Sequence, residues 1–268
     1  MSKSLPCQKS MIGMIHVAAL PATPRGELPI EMIAQQAAAE ARILTDCGFD
    51  AIMIENMHDR PYVQGRQGPE IVAAMTRIGL EVRNVTELQL GVQILSGGNK
   101  EALAVAQAID AGFIRCENFV FAHVADEGLL AEAEAGTLLR YRKHIGAEEV
   151  AVFCDIKKKH ASHAITADVS LAQAVQAAAF FGADGVIISG AATGCPTNPD
   201  DVAQAKKASD VPVLVGSGVC PESLGSLFEY ADGLIVGSWF KRGGIWSEPP
   251  DPARCSELIA EANRVRSR

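Results

Sequence analysis

Acidic, basic and imidazole side chains stand at the ends of several short apolar runs in this sequence of 268 residues. One run contains His16, another Glu55, a third Glu117, and a fourth Asp155 and Lys157. Because side chains alternate along a strand, Asp155 and Lys157 are expected on the same face. A carboxylate and a lysine that point into one closed cavity can transfer protons. We therefore predict that these five residues form a catalytic set, with a purely structural ion pair as the alternative.

The segment KKKHASH at 157–163 adds candidates directly after the run that contains Asp155. Lys159 is a second candidate for acid or base, and a lysine beside an apolar strand can also form a Schiff base. His160 and His163 would bind a divalent metal if a carboxylate such as Glu55 joined them, but the spacing fixes no third ligand. We therefore predict no definite cofactor and keep a divalent metal as an alternative.

Two apolar runs pass straight into glycine and serine, as VLVGSG at 213–218 and IVGS at 235–238. Glycine lets a ligand approach the backbone, so two such ends side by side could present N–H groups to one anion. We predict a phosphate site here, with ordinary tight turns as the alternative. Its residues would be Gly216, Ser217, Gly218, Gly237 and Ser238, together with Ser189 and Gly190 after an earlier run.

Eight aliphatic runs alternate with alanine-rich segments of helical periodicity, most of which end near a glycine. Repeated strand and helix units of this kind predict a single (β/α)8 TIM barrel of the phosphate-binding type, with a doubly wound open sheet as the alternative. We expect one domain over residues 1–268, with a loose segment at 1–10. The eight runs are 11–18, 49–56, 88–95, 113–121, 150–157, 183–190, 211–217 and 231–238.

The composition limits the partners. A net charge of -8 argues against nucleic acid and against electrostatic membrane anchoring. The first apolar stretch is too short for a membrane span and has no cleavage site, so we expect a cytoplasmic protein. Seven cysteines without a CxxC pair make a disulfide framework or structural zinc site improbable. A homo-oligomer is compatible with the sequence, which gives no subunit number.

Several blocks distributed along the chain form a recognisable set. They are GMIHVAALPATPR, GFDAIMIENMHDRPY, GVQIL, FIRCEN, ISGAATGCPTNPDDV, VPVLVGSGVCPESL and ADGLIVGSWFKRGG. Together they resemble the BtpA/SgcQ family, and the resemblance spans almost the whole chain. It implies a phosphate-binding TIM barrel, and it links the family to photosystem I biogenesis and to genes of sugar uptake without implying a reaction. Lys157 and Glu117 stand where many members have histidine and asparagine, so the resemblance carries no substrate.

These observations predict an enzyme for a small phosphorylated metabolite, either a sugar phosphate or a nucleotide-derived phosphate. It would use acid and base chemistry, as an isomerase, an epimerase or an aldol-type lyase. Asp155 with Lys157 or Lys159 would be the central pair, and Glu55, Glu117 and His16 would assist. Two alternatives stay open: an assembly factor without catalysis, and a metal-dependent phosphate-ester hydrolase.

Overall fold

The computed structural model describes residues 5–190 and 196–267 of the chain. The strands are β1 Ser10–His16, β2 Ala51–Glu55, β3 Gln89–Gln93, β4 Phe113–Cys116, β5 His123–Ala125, β6 Gly128–Leu130, β7 Ala151–Ile156, β8 Ala161–Ser162, β9 Gly185–Ile188, β10 Val213–Val215 and β11 Gly233–Val236. The α-helices are α1 Ile30–Cys47, α2 Pro69–Arg83, α3 Asn99–Ala108, α4 Ala135–His144, α5 Leu171–Phe180, α6 Pro199–Ala208, α7 Leu224–Leu227 and α8 Pro252–Arg266.

Eight parallel strands form a closed barrel in the order β1, β2, β3, β4, β7, β9, β10 and β11, and β11 pairs with β1. Each of the eight predicted runs overlaps one of these strands, so the predicted TIM barrel is confirmed. The open-sheet alternative is wrong, because an open sheet would leave the first and last strands unpaired. The strands consist of aliphatic residues because helices cover the outside and side chains fill the inside.

The barrel interior is filled by apolar side chains at every second position of the strands. Ile12 and Met14 of β1 point inward, as do Phe113 of β4 and Phe153 of β7, whose rings lie 5.4 Å apart. Gly91 of β3 makes room for Phe113, since a Cβ at Gly91 would stand 2.2 Å from that ring. The same alternation, continued by one step, brings polar residues inward at the carboxyl ends of the strands.

The helices pack on the barrel through narrow stripes of small and aliphatic residues. In α1 the buried stripe includes Ala34, Ala37, Ala41 and Leu44, at helical spacing. Gly48 ends this helix in the left-handed conformation, with φ of 90°, and turns the chain into β2. No helix in the described part of the chain is long and apolar enough to cross a membrane.

A second, three-stranded sheet of β6, β5 and β8 lies beside the barrel. The eight predicted runs leave residues 122–149 without a strand, whereas β5 and β6 form a hairpin there with Asp126 and Glu127 at its tip. The predicted run 113–121 is also too long, since β4 ends at Cys116. Asn118 and Phe121 have φ of 56° and 59°, and this left-handed backbone cannot continue a strand.

Two predicted segments reach beyond the described residues. Of the predicted loose segment at 1–10, Ser10 already belongs to β1 and Leu5 packs against the interior cluster, while 1–4 fall outside the description. The block ISGAATGCPTNPDDV likewise includes 191–195, which lie outside it.

Candidate active site

A cavity of about 570 Å³ opens at the carboxyl ends of the barrel strands. Among the described residues, Asp155, Lys157, His163, Ser189 and Gly190 do not line it, although the sequence analysis predicted them for the site. The predicted residues that line the cavity are His16, Glu55, Glu117, Lys159, His160, Gly216, Ser217, Gly218, Gly237 and Ser238.

Strand register brings three polar side chains together on one side of the cavity. His16 of β1 pairs with Glu55 of β2, and Glu55 pairs in turn with Gln93 of β3. All three are buried, with exposed fractions of 7%, 5% and 2%. They follow the inward apolar positions of the same strands by two residues, so the strand period determines that they face the cavity.

His16 is held as a neutral ring. Its Nδ1 lies 2.8 Å from the carbonyl oxygen of Trp246 and 3.3 Å from Nζ of Lys241, and its Nε2 lies 3.4 Å from Oε2 of Glu55. Burial, and then the charge of Lys241, hold the pKa of His16 well below its ordinary value. A proton on Nδ1 satisfies the Trp246 carbonyl, which leaves Nε2 as an acceptor toward Glu55.

Glu55 and Lys159 are a carboxylate and an amine of the cavity whose pKa values both move toward neutral pH. Burial raises the pKa of Glu55 to about 6, against the opposing influence of Arg115 and Lys159. Burial lowers the pKa of Lys159, and the neighbouring charge of Arg115 lowers it further. An acid and an amine with pKa values moved toward neutral pH are suited to exchanging protons with a substrate.

Arg115 of β4 is fixed by Asp155 of β7 in a buried pair with two hydrogen bonds. Nε donates to Oδ2 and Nη2 donates to Oδ1, both at 2.8 Å. The carboxylate of Asp155 raises the pKa of Arg115 enough to offset the cost of burying it. This pairing leaves Nη1 outside the bond to Asp155. The predicted pairing of Asp155 with Lys157 is therefore wrong: both carboxylate oxygens are engaged by Arg115.

The backbone at Lys157 explains why this lysine does not line the cavity. Its φ is 47°, so the alternation of β7 ends there and the next side chain, Lys158, turns inward instead. Lys158 donates to Oε1 of Glu117 at 3.0 Å, and the other oxygen of Glu117 accepts from the amide of Gly97 at 2.9 Å. Glu117 is thus fully engaged in positioning the wall of the cavity. Sequence reasoning missed Lys158 because it extended the strand period by two residues.

The two glycine-rich strand ends form a second side of the cavity, next to the charged groups. A Cβ at Gly216 would stand 3.1 Å from Nη2 of Arg115, and one at Gly237 would stand 3.1 Å from Nε2 of His16. Gly218 has φ of 66°, which a glycine adopts without strain. These glycines therefore allow the loop backbone to approach the charged groups closely.

Polar contacts steady the loops around this side. The hydroxyl of Thr197 donates to the carbonyl oxygen of Ser217 at 2.9 Å. Ser189 accepts a hydrogen bond from the amide of Lys159 at 3.3 Å, so it supports the loop after β7. Gly190 stands directly before residues 191–195, which lie outside the described part of the chain.

An aromatic residue that the sequence analysis did not select covers the mouth. Trp246 packs edge-on against His16, with 5.8 Å between ring centroids, and packs at a tilt against His58, with 4.8 Å between centroids. The guanidinium of Arg60 lies 4.9 Å from the centre of the Trp246 ring. Trp246 stands in the segment between β11 and α8, which has no periodic pattern to mark it. The hairpin residues Asp126 and Glu127 also line the mouth.

The histidines of the KKKHASH segment separate in space. His160 lines the main cavity, whereas Nε2 of His163 lies 3.0 Å from the carbonyl oxygen of Lys158. The ring of His163 packs on His123 at 5.6 Å, beside a small cavity of about 30 Å³. His123 is buried in β5. Within residues 5–190 and 196–267, no three His, Cys, Asp or Glu side chains are grouped to hold a metal ion.

Comparison with known proteins gives one family and one fold. A family model described as BtpA family matches residues 7–264. An uncharacterized mitochondrial protein of Caenorhabditis elegans is 42% identical over 271 residues, covering 99% of this chain and 97% of the relative. The photosystem I biogenesis protein BtpA of Synechocystis is 36% identical over 260 residues, covering 96% and 90%.

The barrel also aligns with solved structures at low identity. The orotidine 5'-monophosphate decarboxylase of Methanocaldococcus jannaschii matches with a TM-score of 0.61 and 12% identity, covering 96% of this chain and 99% of that one. A likeness at this identity concerns the fold alone. The predictions of a cytoplasmic location, of no nucleic-acid partner and of a homo-oligomer stay predictions, and the nematode relative is named as mitochondrial.

Proposed function

This chain belongs to the BtpA family, and we propose that it is an enzyme that moves protons on a small phosphorylated metabolite. The reaction class is isomerisation, epimerisation or aldol-type cleavage. The single observation that carries the proposal is the direct contact between two glycine-rich loops and a buried set of charged groups in one cavity. A volume of about 570 Å³ suits a metabolite of this size.

The glycine-rich loops are the proposed phosphate site. Phosphate groups in barrels of this type are commonly bound by the loops after the last two strands, which here hold Gly216 to Gly218 and Gly237 with Ser238. The cation of Arg115 adjoins Gly216 and adds charge attraction for the anion. The decarboxylase that shares the fold is named for a nucleotide monophosphate, which agrees with a phosphorylated ligand.

Glu55 and Lys159 are the proposed proton-transfer pair. Glu55 contacts His16 through one oxygen, and its pKa of about 6 lets it give and take a proton near neutral pH. Asp155 and Glu117 belong to the support of the site, because each is bound on both carboxylate oxygens. His16 positions Glu55 as a neutral acceptor.

Thermal unfolding with a ligand panel tests the phosphate site. The panel contains inorganic phosphate, glyceraldehyde 3-phosphate, dihydroxyacetone phosphate, ribose 5-phosphate and nucleoside monophosphates, each with and without Mg²⁺. A ligand at 100 times its Kd adds about 2.7 kcal/mol of stability, which raises Tm by several degrees. We expect a selective shift that Gly218→Asp removes, because the new carboxylate repels phosphate. A panel without any shift would contradict the proposal.

Isotope exchange tests the chemistry separately from binding. A ligand that shifts Tm is incubated in D2O, and loss of its exchangeable C–H signal is followed by NMR. We expect Glu55→Gln to abolish the exchange and to keep the thermal shift. Glu31→Gln, at an exposed pair with Arg77, is the matched control and should exchange at the wild-type rate. Undiminished exchange in Glu55→Gln would remove Glu55 from the mechanism.

An assembly role is the second candidate, because the Synechocystis relative is named a photosystem I biogenesis protein. The small sheet offers a surface for it: Val124 and Leu129 are opposite one another in the hairpin and are 40% and 54% exposed. This role predicts that Leu129→Lys loses a protein that co-purifies with the wild-type chain, whereas Glu55→Gln retains it. Exchange activity without any co-purifying protein would argue against it.

A further inference from the structure

Lys159 differs from its neighbour Lys158 in that its side chain forms no ion pair with any residue in the described part of the chain. Lys158 is bound to Glu117 at 3.0 Å and is buried. Lys159 also lines the cavity, yet within the described residues its Nζ has no hydrogen bond and no carboxylate oxygen within 4.0 Å. A lysine in a protein interior is normally paired. An unpaired one that faces a cavity is therefore available to a ligand.

The surroundings of Lys159 favour the neutral amine. Burial lowers its pKa, and the nearby guanidinium of Arg115 lowers it further, while the opposing carboxylates are already engaged by other cations or partly neutral. A neutral amine has a free lone pair and can attack a carbonyl carbon. The loop amide of Lys159 is held by Ser189 at 3.3 Å, which fixes the backbone from which the amine extends.

We propose that Lys159 is a nucleophile that forms an imine with the carbonyl carbon of a phosphorylated aldehyde or ketone bound in the cavity. This inference rests on the proposed function and deepens it by naming the substrate class. The phosphate lies against the loops at Gly216 and Gly237, and the carbonyl reaches the amine across the cavity.

The step balances without any further reagent. The nitrogen lone pair of Lys159 attacks the carbonyl carbon, and a proton passes from nitrogen to oxygen to give a carbinolamine. Glu55 in its acid form protonates the hydroxyl, water leaves, and the nitrogen shares its lone pair in a C=N bond. The imine nitrogen then loses its proton or stays protonated as an electron sink. Glu55, now a carboxylate, can remove a proton from the adjacent carbon.

The side chain of Gln93 favours a substrate that carries a hydrogen-bond donor. Its Oε1 is buried and has no hydrogen-bond partner among the described residues, although the side chain lines the cavity. A buried acceptor without a partner costs stability, so a ligand that supplies an O–H is favoured. A hydroxyl next to the carbonyl would meet this requirement, which points to a phosphorylated hydroxyaldehyde or hydroxyketone.

Borohydride trapping tests the imine. The full-length protein is incubated with glyceraldehyde 3-phosphate or pyridoxal 5'-phosphate, and in parallel with glyceraldehyde or pyridoxal, and is then reduced with sodium borohydride. Intact mass and chymotryptic peptide mapping locate the adduct. We expect it on Lys159 at a level at least tenfold above any other lysine. Addition of inorganic phosphate as a competitor should reduce the amount of adduct about tenfold. The probes that lack a phosphate group should also give about tenfold less adduct.

Variants and thermal shifts separate the possible failures. Lys159→Arg should lose the adduct and keep the thermal shift with inorganic phosphate, and Lys207→Arg on the exposed face of α6 should behave as wild type. A shift with the phosphorylated probes but no adduct on Lys159 would overturn the imine and leave the phosphate site standing. If the phosphorylated probes produced no thermal shift and no adduct, both the imine and the phosphate site would be overturned. The imine would also be overturned if the adduct formed on Lys158, or if probes with and without phosphate labelled Lys159 equally.

Discussion

Replacement of Asp155 by asparagine is the sharpest test of how the site is built. Asp155 holds Arg115 by two hydrogen bonds of 2.8 Å, and the two side chains are 1% and 6% exposed. Asparagine keeps the shape and removes the charge, so the guanidinium becomes a buried charge without compensation. Breaking a buried pair in this way costs about 3–5 kcal/mol.

The expected fall in Tm follows from the size of the chain. An unfolding entropy of roughly 2.1 cal/mol/K per residue gives about 0.56 kcal/mol/K for 268 residues. A loss of about 3–5 kcal/mol therefore lowers Tm by roughly 5–9 °C. Calorimetry measures this shift, and urea unfolding at 25 °C followed by circular dichroism gives the free energy independently.

Two control variants decide whether the lost charge is the cause. Glu31→Gln breaks an exposed pair with Arg77 and should cost at most about 1 kcal/mol. The double variant Arg115→Met with Asp155→Leu removes both charges and should recover most of the stability lost in Asp155→Asn. The reasoning would be refuted if Asp155→Asn were no worse than Glu31→Gln, or if the double variant were less stable than Asp155→Asn.

Three further predictions concern the cavity wall. Gly216→Ala places a Cβ 2.7 Å from Ile187, so we expect a loss of about 1–3 kcal/mol and a smaller thermal shift with phosphate; a wild-type shift would contradict this. The folded structure raises the pKa of Glu55 from 4.5 to about 6, so protonated Glu55 stabilises the fold. This contribution to the free energy of unfolding is fully present below pH 4.5 and is lost as the pH rises through 6. Between pH 4.5 and pH 7.5 the unfolding free energy of the wild type should therefore fall by about 2 kcal/mol more than that of Glu55→Gln. Equal changes in the two proteins would refute this prediction. Lys241→Met removes a charge 3.3 Å from His16, so an NMR titration should show the pKa of His16 rising, and an unchanged value would count against the contact.

The barrel and much of the cavity were predictable from local pattern. Buried parallel strands require continuous aliphatic runs, and eight such runs separated by helical segments left closure as the favoured arrangement. The ends of those runs indicated His16 and Glu55, because the strand period alone sets their direction. Gly216 and Gly237 were predicted for another reason, since glycine at the end of an apolar run lets a ligand approach the backbone.

Prediction failed where the backbone leaves regular structure. Lys157 has φ of 47°, and this one residue ends the period of β7, so the inward lysines are those that follow it. Nothing in three consecutive lysines reveals which of them turns inward. The hairpin that carries Asp126 and Glu127 was not predicted, because strands of three residues are too short to show alternation.

The sequence by itself determined the fold, the end of the barrel that carries the site, and the strand residues that face it. Tertiary structure alone decided the partners, because they depend on pairing between strands distant in sequence. Asp155 met Arg115, which lies 40 residues earlier, and both of its carboxylate oxygens accept hydrogen bonds from that side chain. Trp246 came to cover His16 across 230 residues. Charge and burial at such contacts, which no local pattern encodes, also gave Lys158 a carboxylate partner in Glu117 and Lys159 none among the described residues.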